Sequence, residues 1–150
     1  MTTHVLKLIP TDPWLIPPEP QWSVAAARFY QFAPHAETIE TSSSATIQFV
    51  DPGGNFERVR CPACATDITD WWTTAMDAAG QSNFADLSIS VPCCAITTTL
   101  NELQYEWPAG FARFTLAARN PNLEHGLSVE ALDELQEILG YRLRQVFVRI

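Results

Sequence analysis

All four cysteines of the chain fall within residues 59–94, as two tight pairs. Val59-Arg60-Cys61-Pro62-Ala63-Cys64 opens the stretch and Val91-Pro92-Cys93-Cys94 closes it. Each pair follows a strand-like run, and one amphipathic segment, residues 67–79, separates them. Two residues between a pair of thiolates let the backbone turn, aim both sulfurs at one ion and donate N–H groups back to them. The pattern predicts a metal knuckle unit, with zinc as the metal, clamping a helix between two strand ends. Cys61, Cys64, Cys93 and Cys94 are the candidate ligands.

The second pair departs from the knuckle spacing because Cys93 and Cys94 are adjacent. Neighbouring side chains of an extended segment point to opposite faces, so both reach one ion only if the chain turns after Pro92. Cys94 is therefore the least defined ligand, and His35, His125, Asp67 or a water are the alternatives for the fourth position. An open fourth position would turn a structural site into a catalytic one. Two other readings compete with metal. Free cysteines are among the most buried residue types, so four core thiols would satisfy the same sequence. A C-x-x-C between a strand and a helix also lowers thiol pKa and supports redox chemistry. Here, however, the first pair precedes the helix cap instead of lying in the first turn.

Around this unit the chain reads as α+β. Residues 4–9 predict a strand stopped by Pro10, and the prolines at 13, 17, 18 and 20 predict an extended connection. Trp22, Ala25, Ala26, Phe29 and Ala33 recur at helical spacing over 21–33, and Pro34 ends that helix. The serines at 42–44 predict a loop. Residues 45–50 and 55–60, joined by Asp51-Pro52-Gly53-Gly54, predict a hairpin. Ile68, Trp71, Trp72, Ala75, Met76 and Ala79 form the apolar stripe of the helix between the cysteine pairs. Residues 87–91, 103–107 and 111–117 predict strands, 128–139 a helix capped by Ser128, and 141–150 a final strand. The outer pieces match a ferredoxin-like (split βαβ) frame, with residues 61–120 as a zinc-knuckle and strand insertion in a single domain over 1–150.

Composition narrows the function classes. At 150 residues with 47% apolar and 17% charged residues, the chain has the make-up of a folded domain. Its formal charge of −8 argues against nucleic acid as the main partner, since phosphate binding needs clustered Lys and Arg. The charge suits a basic protein partner instead. No apolar run approaches the length of a membrane span, so no membrane partner is expected. The N-terminus carries no charged segment followed by an apolar core, which makes the reducing cytoplasm the expected compartment. In that compartment paired cysteines are more often metal ligands or redox groups than disulfides. Arg142 and Arg144 alternate with Leu143 and Gln145 and read as a solvated strand face. Trp71 and Trp72 read as core, one of them partly exposed because they differ by about 100° around the helix. No phosphate loop, nucleophile elbow or His-Glu-x-x-His is present.

Several stretches resemble an uncharacterised family of small bacterial proteins with a Cys-Pro-x-Cys and Pro-Cys-Cys pattern. They are Val59 to Cys64 as quoted above, Trp71-Trp72, Pro92-Cys93-Cys94, Leu103-Gln104-Tyr105-Glu106-Trp107-Pro108-Ala109-Gly110-Phe111-Ala112-Arg113-Phe114, Asn120-Pro121 and Leu139-Gly140-Tyr141-Arg142-Leu143-Arg144. The resemblance covers most of the chain beyond residue 58 and implies a bacterial cytosolic protein, with no activity attached. Locally the cysteine pairs also resemble zinc ribbons. The functional expectation is a zinc-stabilised binding or interaction protein, of which an inhibitor or immunity-type partner-binder is one form. The alternative is a thiol redox or open-site zinc enzyme using Cys61 and Cys64.

Overall fold

A computed structural model describes residues 2–150. Strand β1 (His4–Pro10) leads through the proline-rich connection to helix α1 (Glu19–Phe32), whose start is set by Pro20 in its first turn. Strand β2 (Thr38–Val50) follows. The cysteine unit then contributes β3 (Arg58–Arg60), α2 (Thr69–Gly80), β4 (Ser88–Ser90), β5 (Thr97–Thr99), a 3₁₀ turn (Leu100–Glu102) and β6 (Gln104–Glu106). Strand β7 (Gly110–Arg119), helix α3 (Val129–Leu139) and strand β8 (Leu143–Arg149) complete the chain. The Ser128 hydroxyl accepts from the Ala131 N–H as the cap of α3, and Gly140 ends that helix in the left-handed region at φ 86°.

Four strands form one sheet in the order β2-β7-β1-β8, and every neighbouring pair is antiparallel. Its first face buries Leu6, Leu8, Phe114, Leu116 and Leu143 against Ala25 and Phe29 of α1 and Ala131, Leu135 and Leu139 of α3. On the other face, Ile47 and Phe111 pack with Val59, Cys61, Ile68, Val91, Leu100 and Tyr105 of the cysteine unit. The second face is covered in this way around Phe111, whereas further along it Glu40 and Ser42 are exposed and β7 alternates between buried and half-buried residues from Phe114 to Ala118.

Three features depart from the sequence expectation. The first is β2, which begins at Thr38 and includes the serines expected to form a loop. Backbone pairing of Thr38 to Ser43 with β7 holds them extended, and Ser42 hydrogen-bonds Thr115 across the pair at 2.6 Å. The register of this edge strand shifts between Ser43 and Gln48, where the ladder with β7 is interrupted. Second, residues 55–60 form no hairpin with β2. β3 pairs with β6, and the turn at 51–54 docks on β8 instead, with the Gly54 N–H donating to the Arg149 carbonyl at 2.7 Å. Gly53 is required there: at φ +60° an added Cβ would lie 2.4 Å from the Arg149 oxygen.

Third, residues 110–119, expected within the knuckle-and-strand stretch 61–120, are β7, a central strand of the main sheet. Period-2 alternation marks a strand but does not say which sheet it joins. The unit is fixed to the sheet by Arg144, expected on a solvated face. Its guanidinium donates to the Asn101 carbonyl (3.0 Å), Asn101 Oδ1 (3.1 Å) and the Ala109 carbonyl (3.0 Å). Buried Asn101 in turn accepts from the Phe111 N–H and donates to the Thr11 carbonyl, both at 2.9 Å. Arg144→Leu strands these acceptors, and a loss of about 2–3 kcal/mol is expected. Arg142→Leu, on an exposed neighbour, costs under about 0.5 kcal/mol. Denaturant midpoints of the two variants check the contrast, and equal shifts would contradict it.

Candidate metal centre

Two hairpin tips build the site. After β3 the chain turns through Cys61-Pro62-Ala63-Cys64-Ala65-Thr66, and the Cys61 N–H donates to the Thr66 carbonyl at 2.9 Å. After β4 it turns through Val91-Pro92-Cys93-Cys94-Ala95-Ile96, and the Val91 N–H donates to the Ile96 carbonyl, also at 2.9 Å. Ala65 and Ala95 both take the left-handed conformation, at φ 61° and 55°. The two loops are therefore the same six-residue knuckle. Its first position is Cys61 in one and Val91 in the other; its fourth is Cys64 in one and Cys94 in the other. β5 closes the second hairpin, pairing Thr97 with Ser90, and an Arg60–Asp67 bridge closes the first.

This correspondence reverses the expectation about the second pair. Cys94, expected to be the least defined ligand, holds the regular fourth position. Cys93 is the irregular one, at the third position, where the first knuckle has Ala63. Aligning the two segments on Pro62 and Pro92 would have shown this in the sequence. The turn after Pro92 that both cysteines require is present at residues 92–94.

The four Sγ atoms lie within 4.8 Å of one another. Cys64 and Cys93 are 3.3 Å apart, Cys61 and Cys94 3.5 Å, and Cys93 and Cys94 3.9 Å. A tetrahedral ion with metal–sulfur bonds near 2.3 Å sets its ligands about 3.8 Å apart, so the cluster has the size of a four-thiolate metal site. The sulfurs are free thiols, well beyond the S–S bond length of about 2.05 Å. Among the described residues, His35, His125 and Asp67 take no part in the cluster. Cys61 is fully buried against Val59, Ile68 and Val91, whereas Cys64, Cys93 and Cys94 are exposed.

The surroundings separate the thiols. The Thr66 hydroxyl, 3.1 Å from Cys64, and the Thr66 N–H hold the Cys64 thiol down at about 6. Burial acts to raise Cys61, but the N–H groups of Cys64 and Ala63 with the nearby sulfurs bring it below its usual value. Burial among the other sulfurs pushes Cys93 up to about 12. Cys94 is raised first by its contact with Cys61 and then by burial. Four close thiols cannot all ionise without a cation among them, so protons remain on Cys93 and Cys94.

Around the cluster, Asp67 accepts from the Thr69 N–H and hydroxyl at 2.9 and 2.7 Å at the start of α2. Arg60 spans Glu106 at 2.6 Å and the Ala65 carbonyl at 3.5 Å, tying the knuckle to β6. Trp72 stacks on Phe56 at 5.3 Å between ring centroids and donates to the Tyr105 hydroxyl at 3.2 Å. Trp71 is also half-buried. It borders a cleft of about 500 Å³ lined by Asp67, Ile68, Asp70, Pro92 and Cys93. A second cavity, about 580 Å³, lies where Asn55 and Trp107 meet His4, Phe147 and Glu124. No family model, curated protein or solved structure matches the chain.

Thiols must lose their protons to bind metal, so affinity rises with pH. With Cys93 and Cys94 protonated near neutrality, at least two protons leave per ion bound. The apparent Kd should fall by about a hundredfold or more per pH unit between pH 6.5 and 8. Competition titrations with a chromogenic chelator check this, and a pH-independent Kd would contradict the ligand set.

Proposed function

We propose that the chain is a zinc-stabilised binding protein in which the metal holds together the inserted unit and the unit presents a surface to a protein partner. One observation carries this reading: four thiols from two separate hairpin tips converge within 4.8 Å. The hairpins need such a staple. Strands β3, β4 and β5 are three residues each, and α2 buries none of its residues completely. Soft thiolate ligands in a tetrahedral set favour zinc among the metals of a reducing compartment.

The binding part of the reading rests on surface chemistry. Trp107 is 44% exposed at the larger cavity, and Trp14 is 50% exposed. Tryptophans in such positions are frequent anchors of protein contacts. Four thiolates on a divalent ion would add two negative charges to a chain already at −8, which favours a basic partner. An inhibitor or immunity-type protein is one form of this reading. The strand order β2-β7-β1-β8, with α1 and α3 as the connecting helices, supports the ferredoxin-like reading of the outer elements. Among the described residues no helix is long and apolar enough to cross a membrane.

The alternative, an enzyme that uses the Cys61 and Cys64 thiols, is supported by the low Cys64 thiol. Cys61→Ser separates the two. As a structural ligand its loss should release the metal, abolish the near-ultraviolet signal of the Trp72 cluster and lower the thermal midpoint by several degrees. An unchanged midpoint and near-ultraviolet spectrum, together with loss of a small-molecule turnover, would favour the enzyme.

A further inference from the structure

We propose that Cys93 is a peroxide-reactive ligand of the metal centre and that Cys64 resolves it, so that oxidation opens the site through one defined disulfide. The inference rests on the metal-bound reading above and adds a modification site to it. Two independent features single out Cys93. It occupies the third knuckle position, where its counterpart in the first knuckle is Ala63. In addition, Cys93 is the one cysteine that lines the 500 Å³ cleft beside Trp71, while Cys61 is fully buried.

The chemistry balances with hydrogen peroxide as the oxidant. The Cys93 thiolate attacks one peroxide oxygen, the O–O bond breaks, and a sulfenic acid and hydroxide form. The Cys64 sulfur, 3.3 Å away, attacks the Cys93 sulfur, forms the S–S bond and expels a second hydroxide. Two protons from solvent convert both hydroxides to water. The two thiolates supply the two electrons that reduce the peroxide. The sulfurs need approach by only about 1.3 Å to reach bonding distance. A bound zinc would then have only Cys61 and Cys94 left to hold it and would be released. The bridge crosses between the two hairpin tips, so the unit stays cross-linked while its metal is lost.

The test uses the zinc-loaded full chain treated stepwise with hydrogen peroxide. A chromogenic chelator reads zinc release, and mass spectrometry after differential alkylation maps the disulfides. One zinc per chain should leave in step with a Cys64–Cys93 bridge. Cys93→His, which keeps a fourth ligand atom, should slow release at least tenfold. A first bridge that contains Cys61, or a Cys93–Cys94 bridge, would overturn the proposal, as would release from Cys93→His at the wild-type rate. A chain that carries no zinc before peroxide is added overturns the metal reading itself. Zinc present with a different bridge overturns only the assignment of Cys93 and Cys64.

Discussion

The convergence of two knuckles on one set of four sulfurs is the constraint on which the inserted unit depends. Neither hairpin has the strand length or buried area to persist alone, since isolated two-stranded ribbons are marginal in water. Bringing their tips together at four sulfurs that could hold a metal ion would add a cross-link to the apolar core they share. Cys61 links the two resources. Its sulfur belongs to the cluster, and its side chain packs against Val59, Ile68 and Val91 within the apolar core beneath. The remaining three cysteines face outward, so the staple sits at the surface of the unit.

Beneath the staple, aromatic packing joins the unit to the sheet. Phe49 of β2 lies 5.7 Å from Trp72, 5.9 Å from Tyr105 and 5.1 Å from Phe111. Edge-to-face and tilted arrangements of this kind add specificity to the area they bury. The Tyr105 hydroxyl donates to the Leu100 carbonyl at 2.6 Å, and burial raises its ionisation well above the usual value, so it stays neutral. At the other end, Arg144 and Asn101 satisfy the carbonyls of the 3₁₀ turn and of the β6–β7 connection. Two chemically distinct contacts, one aromatic and one polar, therefore set the position of the cysteine unit over the sheet.

Much of this was legible in the sequence, and the failures have physical causes. Periodicity marks α1 and α2 because an amphipathic helix repeats its apolar residues locally. Ser128 and Gly140 bound α3 by cap chemistry that acts within a few residues. The cysteine spacing points to Cys61, Cys64 and Cys93 without reference to the fold, and the structure brings Cys94 into the same cluster. Strand partners are different, because pairing is decided by residues far apart in the chain. β3 therefore went to β6 and not to β2, and β7 proved central to the sheet. The serines at 42–44 carry weak strand propensity, and only their ladder with β7 makes them extended. Arg144 looked solvated because a guanidinium held by backbone carbonyls carries no acidic partner to announce it. The knuckle equivalence of Cys64 and Cys94 was present in the sequence, hidden by the irregular Cys93.

X-ray absorption at the zinc edge of protein purified under reducing conditions, without added metal, tests the centre most directly. Four sulfur scatterers at about 2.3 Å are predicted, with no nitrogen or oxygen in the first shell. Fewer than four sulfurs, a light-atom ligand in the shell, or the absence of any bound metal would contradict a tetrathiolate centre built from Cys61, Cys64, Cys93 and Cys94.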